Sequence, residues 1–144
     1  MELQNVLPAD IEKRSMEIIA EELGEIQLDP EKVSIVKRVI HTSADFDYAR
    51  ITEIQSGAVA SAVAALVAGC KIYSDTRMII AGVSKPMLKK LNCELYTYVD
   101  DAGVATQSKE KGLTRSILGI EKAVEDPDTR IFVIGNAPTA LVRL

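Results

Sequence analysis

The sequence predicts an α/β protein with a mainly parallel sheet, helices on both faces, and N-terminal helices ahead of the alternating part. Three observations predict it. The first fifty residues carry apolar side chains at helical spacing, whereas the second half alternates short β-branched and aromatic runs with helical stretches. Strands separated by helices require crossover connections, and these favour parallel pairing. At 144 residues with 47% apolar side chains, the chain is expected to form one domain, residues 1–144, with a sizeable core.

The elements follow in order. Pro8-Ala9-Asp10 opens a helix with Ile11, Ser15, Ile18, Ile19 and Leu23 on one face, and Gly24 stops it. Asp29 followed by Pro30 is an N-cap and first-turn pair, and Val33, Val36, Val39 and Ile40 stripe a second helix that ends at His41. Gly57 to Gly69 is alanine-rich and reads as a buried helix that lets a neighbour, sheet or second subunit, approach closely. It is too short to span a bilayer. Strands are expected at Lys71–Ser74, Glu94–Val99 and Thr129–Ile134. Between them, Thr76 to Leu91 is helical with a break at Ser84-Lys85-Pro86, and Thr114 to Val124 is helical; a last helix runs from Asn136-Ala137-Pro138 to Leu144.

Composition excludes several functions. Aromatic residues make up 4% and Trp is absent, so an aliphatic core is expected and a base-stacking surface is not. A net charge of -4, with no basic run, argues against nucleic-acid binding. Cys70 and Cys93 form no CxxC, and with a single histidine they cannot complete an ordinary zinc site; free thiols are expected. Met1 to Asn5 lacks the basic and apolar regions of a secretory signal, so the expected location is the cytoplasm, with no membrane partner. No dinucleotide fingerprint, P-loop or nucleophile elbow is present.

The candidate chemistry centres on His41, the only histidine, in Arg38-Val39-Ile40-His41-Thr42-Ser43-Ala44-Asp45-Phe46-Asp47. Histidine is the side chain that ordinarily exchanges protons near neutrality, and a helix C-terminus favours its cationic form. A histidine that merely closes a helix is the structural alternative. Ser15 puts a hydroxyl on an otherwise apolar helix face, where it either bonds its own backbone or marks the opening of a pocket; Arg14 beside it is expected in solvent. Arg38 shares a helix face with His41. Thr114-Arg115-Ser116 begins a helix, so free amides and a guanidinium offer an anion site. Asp75, Asp100-Asp101 and Gly135-Asn136 each follow a strand, and in a parallel sheet those ends share the edge where ligands bind. Asp45 and Asp47 are expected to cap or face solvent rather than hold a metal.

Arg14-Ser15, Arg38-Val39-Ile40-His41-Thr42, Ser74-Asp75-Thr76-Arg77-Met78, Thr114-Arg115-Ser116 and Ile134-Gly135-Asn136-Ala137-Pro138-Thr139-Ala140-Leu141 together resemble the precorrin-8X methylmutases of cobalamin biosynthesis. The run from His41 to Asp47 is closer to the anaerobic, cobalt-precorrin-8 branch. The resemblance implies a homodimeric α/β isomerase, without organic cofactor or metal ligand of its own, that moves a methyl group from C-11 to C-12 of a corrinoid. It implies His41 as the catalytic histidine, Ser15 as a substrate-contacting serine and Arg115 as the arginine at the helix start. Arg38, Thr42, Asp75, Ser116 and Asn136, from the patterns above, complete the expected substrate contacts, with His41 as the acid. Family members continue beyond the element that ends here at Leu144. A fragment, half of a split protein, or a non-catalytic corrinoid-binding subunit is the expectation that competes with a complete enzyme.

Overall fold

The structure is a computed structural model that describes residues 8–24 and 29–144, without the side chains of Pro8 and Ala9. The expectation placed on Met1 to Asn5 lies outside the described residues. The chain divides into two compact units, Met1–Val59 and Ala60–Leu144.

The first unit is helical. Helix α1 (Pro8–Leu23) ends where the sequence places the stop: Gly24 takes φ +54° and donates its amide to the Ala20 carbonyl. Helix α2 (Pro30–Ser43) starts on Asp29, whose carboxylate accepts the Glu31 amide at 3.1 Å, with Pro30 pre-set for the first turn. Ala44 closes α2 in the left-handed region at φ 55°, its amide 2.7 Å from the Ile40 carbonyl. A short helix, α3 (Tyr48–Ile51), follows that the sequence pattern does not announce. Ile19 and Leu23 of α1, Val36 and Ile40 of α2, and Ala49 of α3 form one core, flanked by Phe46 and Tyr48. Burying side chains of this size contributes about 1.5–3 kcal/mol each, which fixes the pairing of α1 with α2.

The second unit is the α/β part. Helix α4 (Ala58–Ala68) leads to β1 (Lys71–Ser74), α5 (Arg77–Gly82), α6 (Lys85–Lys90), β2 (Glu94–Tyr96), α7 (Ala102–Lys111), α8 (Arg115–Val124), β3 (Thr129–Val133) and α9 (Pro138–Arg143). The sheet order is β2-β1-β3, both pairings parallel, with Ile72 opposite Leu95 on one side and Ile131 on the other. From β1 the chain moves outward to β2, then crosses back to β3 on the far side of β1. Right-handed crossovers in these two directions put helices on both faces. They also make the carboxyl ends of β1 and β3 the place where an open α/β sheet offers a crevice.

Two expectations are corrected here. The α4 segment is a helix but not a buried one: none of its residues is buried, and Val63 and Val67 are 52% and 72% exposed. The core of this unit is also not aliphatic throughout. Tyr73 is 1% exposed and packs with Ile120, Ala123 and Ala140, flanked by Tyr96, Tyr98 and Phe132. The Tyr73 ring lies 5.5 Å from Tyr96 and 6.0 Å from Tyr98 between centroids. The few aromatic residues are concentrated where a short sheet needs bulk to meet α8 and α9. Gly119 makes that possible, because a Cβ there would collide with the Tyr73 hydroxyl. Burial first, and then the Asp75 charge, push the Tyr73 phenol up to about 12.

The second strand is shorter than the expected Glu94–Val99. Its continuation bends into a turn in which the Val99 amide bonds the Thr97 hydroxyl and the Asp101 amide bonds the Tyr98 carbonyl. Helix α7 is a further element the sequence pattern does not announce: its only buried side chain is Val104, so no apolar stripe betrays it.

Candidate active site

In the first unit, α1 and α2 bring Ser15 and His41 together. The Ser15 Oγ is 2.7 Å from His41 Nδ1, across twenty-six positions of sequence. The hydroxyl therefore does not spend itself on its own helix, the commoner fate of such a serine. The pair lies at a cavity of about 380 Å³ whose walls are otherwise mostly apolar, from Ile11, Ile18, Ile19, Ile40, Ala44 and Phe46. Ile11 and Ile18 are 54% and 40% exposed, so this apolar face has no cover within the described residues. Arg14 stands at the rim of the cavity, bonded to Glu17 at 3.3 Å and exposed to solvent as expected.

The end of α2 explains why His41 stands free. Thr42 Oγ1 donates to the Arg38 carbonyl and Ser43 Oγ to the Val39 carbonyl, so the hydroxyls beside it satisfy the helix end. Asp45 accepts the Asp47 amide at 2.9 Å in a local turn; neither carboxylate caps a helix, and both face solvent. The ring nitrogen Nδ1 has Ser15 as partner, and Nε2 has none among the described residues. When the ring is cationic, Nδ1–H donates to Ser15 and Nε2–H is the proton available to a ligand.

Arg38 and Thr42 do not line this cavity. The Arg38 guanidinium pairs with Glu12 of α1 at 3.0 Å, both side chains well exposed, and the Thr42 hydroxyl is taken by the helix. The pair adds little stability at such exposure and leaves Arg38 free to exchange partners.

In the second unit the strand ends gather on one edge, as the parallel sheet requires. Asp75, expected as a substrate contact, is 4% exposed and already engaged. Its Oδ1 accepts the Gly135 amide at 2.8 Å, and its Oδ2 accepts those of Asn136 at 3.0 Å and Ala137 at 2.8 Å. Three consecutive amides make an anion-binding concavity, and the protein's own carboxylate fills it. Asp75 thus clamps the β1 and β3 ends together and shapes the loop that presents Asn136, which is exposed.

Arg115 is exposed at the start of α8, its guanidinium 3.5 Å from the Val99 carbonyl. Thr114 caps the helix by accepting the Ile117 amide and meets Thr139 at 3.4 Å. Ser116 is half-buried in the first turn, and its side chain has no hydrogen-bond partner among the described residues. Asp101 is not a free strand-end carboxylate: it caps α7 through the Val104 amide and pairs with Lys122 at 2.9 Å, which holds its carboxyl below the usual range. Arg77 and Asp100 pair across the β1 and β2 ends, a contact that sequence reasoning missed. Among the described residues no group of three or more His, Cys, Asp or Glu side chains is placed to hold a metal, and no helix is long and apolar enough to cross a membrane.

These features define a class: a parallel α/β protein with a serine-bonded histidine at an apolar cavity, and arginine and amide donors at the sheet edge. The precorrin-8X methylmutase family profile matches residues 10–144, and the chain belongs to that family. It is 41% identical over 140 residues to a cobalt-precorrin-8 methylmutase of Leptospira interrogans, covering 96% of this chain and 64% of that protein. Against the Priestia megaterium protein of the same name, identity is 38%, with 96% and 62% covered. The crystal structure of a precorrin-8X methylmutase from Thermus thermophilus superposes with a TM-score of 0.85 at 31% identity, covering 94% of this chain and 66% of that one. The chain therefore spans under two thirds of the length of those relatives.

Proposed function

We propose that this chain carries the isomerase chemistry named in its relatives, moving a methyl group from C-11 to C-12 of precorrin-8 or cobalt-precorrin-8 to give hydrogenobyrinate or cobyrinate. The observation that carries the reading is the Ser15–His41 bond at an apolar cavity, in a chain similar to methylmutases over nearly its whole length. A 1,5-sigmatropic shift needs no nucleophile, but protonating the macrocycle near ring C withdraws electron density from the carbon next to the migration. The His41 imidazolium is the acid, giving its Nε2 proton to the macrocycle and recovering a proton when the product forms. Ser15 acts through it: its oxygen accepts Nδ1–H, fixing ring orientation and aiming Nε2 outward.

The substrate bears several acetate and propionate carboxylates. Arg115, with Ser116 and the free amides of the α8 N-terminus, suits one of them, and Asn136 offers an amide to another. Arg38 is available if it leaves Glu12. Asp75 contributes by holding the Asn136 loop. In this reading residues 1–144 act as one domain and a second copy of the chain is the partner, a role that the uncovered apolar helix α4 supports.

The test follows conversion of the corrinoid by its change in visible absorbance. Removing the acid, His41→Ala, is expected to slow turnover by about 10²–10⁴-fold. Ser15→Ala removes a charge-assisted bond of about 1.5–3 kcal/mol, so roughly a 10–100-fold loss is expected. The double variant should be no slower than His41→Ala alone. Fully additive losses would mean that Ser15 does not act through His41, and undiminished turnover in His41→Ala would sink the mechanism.

A further inference from the structure

The two cysteines lie far apart in sequence, yet the sheet brings them side by side. Register in the β1–β2 pair runs Lys71 opposite Glu94, Ile72 opposite Leu95 and Tyr73 opposite Tyr96. One step back lie Cys70 and Cys93, which flank the first paired step: the Glu94 amide bonds the Cys70 carbonyl at 3.2 Å and so closes the Lys71–Glu94 pair, while the Cys93 amide turns to the Leu88 carbonyl at 2.9 Å. Residues that flank a paired step of neighbouring strands stay near the strand spacing of about 4.8 Å. That lies within the Cα separation of roughly 4.4–6.8 Å that a disulfide spans.

The surroundings suit thiol exchange. Both thiols are free, Cys70 buried and Cys93 half-buried. Cys93 Sγ donates to the Leu66 carbonyl at 3.4 Å and to that of Leu91 at 3.7 Å, weak contacts that a side-chain rotation releases. Burial, and then the adjacent Cys93 thiol, push the Cys70 thiol up from its ordinary value, so Cys70 is the poorer nucleophile and Cys93 reacts first. Cys70 itself lines a cavity of about 630 Å³ with Ser61, Ala65, Ala68, Asp128 and Arg130.

We infer that Cys70 and Cys93 are a vicinal dithiol that closes to an intramolecular disulfide by exchange with a low-molecular-weight disulfide of the glutathione class. The more exposed Cys93 loses its proton, and its sulfur attacks one sulfur of the small disulfide, whose other half leaves as a thiol after taking a proton. Cys70 sulfur then attacks Cys93 sulfur and expels the second small thiol. Two protein S–H groups and one small disulfide become one protein disulfide and two small thiols. The bridge ties the starts of β1 and β2, at the opposite end of the sheet from Asp75 and Asn136. It therefore stiffens the sheet without occupying the candidate active site.

The experiment exposes the folded chain to oxidised glutathione and reads intact mass and free thiols after denaturation. The expected result is a loss of two hydrogens with no retained glutathione, both thiols gone, full reversal by dithiothreitol, and a higher unfolding midpoint for the oxidised form. Cys70→Ser, which cannot close the bridge, should instead keep one glutathione on Cys93. Cys93→Ser, at the half-buried position, removes closure with less risk to folding. A wild-type chain that retains a glutathione adduct, forms disulfide-linked dimers, or keeps both thiols free under conditions that modify Cys70→Ser overturns the inference.

Discussion

Asp75 offers the sharpest test of how the site is held. A carboxylate this buried is stable only if its oxygens are matched, and here backbone amides do the matching, at 2.8, 3.0 and 2.8 Å. Asp75→Asn keeps shape and volume. With its carboxamide oxygen placed at Oδ2 it retains the Asn136 and Ala137 amides, but its NH₂ then faces the Gly135 N–H, donor against donor. One charge-assisted bond is lost and the other two are weakened, so about 2–3 kcal/mol of destabilisation is expected. Asp75→Ala strands all three amides and should exceed about 4 kcal/mol, among the largest effects of single substitutions. Urea unfolding measures both, with the midpoint falling and the slope unchanged. Because the three amides form an anion site, added formate should restore part of the Asp75→Ala stability and none of the wild type's. A cost for Asp75→Asn below about 0.5 kcal/mol would refute the clamp, since no network of three buried charged bonds disappears so cheaply.

Other consequences can be checked independently. Tyr73 titrates at about 12 in the fold against 10.0 for a free phenol, so its contribution is intact below pH 10 and is lost as pH rises towards 12. Roughly 3 kcal/mol of stability should disappear across that window, at about 1.4 kcal/mol per unit. Tyr73→Phe should remove that part of the alkaline slope, with one late phase missing from the tyrosinate absorbance titration. Gly119→Ala forces a methyl against the Tyr73 hydroxyl and should cost about 1–3 kcal/mol by thermal unfolding. Adding Tyr73→Phe to it should recover part of the loss, because the colliding atom is the phenolic oxygen. Asn136→Ala should weaken corrinoid binding while leaving the unfolding midpoint within about 0.5 kcal/mol of wild type, as expected for an exposed loop side chain.

What the sequence shows and hides follows from where each signal lives. Helices α1, α2 and α8 are legible because their stripes and caps are local: Gly24, Asp29-Pro30 and Thr114 all act within one turn of chain. Helix α7 is hidden because it buries only Val104, although its cap Asp101 was in view as a strand-end residue. The aromatic core is hidden because composition counts Tyr73, Tyr96, Tyr98 and Phe132 without showing that the sheet collects them. The same limit governs the site. His41 and Ser15 each stand out as odd residues in their patterns, yet only the packing of α1 on α2 brings them to 2.7 Å. Asp75 carries the right chemistry for a ligand contact, and only the return of β3 beside β1 shows that three amides already claim it.

The central claim is that His41 supplies a proton to a bound corrinoid. A single-turnover measurement with wild type and His41→Ala, reading corrinoid binding by quenching of protein tyrosine fluorescence and conversion by visible absorbance in the same reaction, separates binding from chemistry. The account predicts that the variant binds with an affinity within a few-fold of wild type while the conversion step slows by about 10²-fold or more. Conversion at the wild-type rate in a His41→Ala chain that binds normally would contradict it.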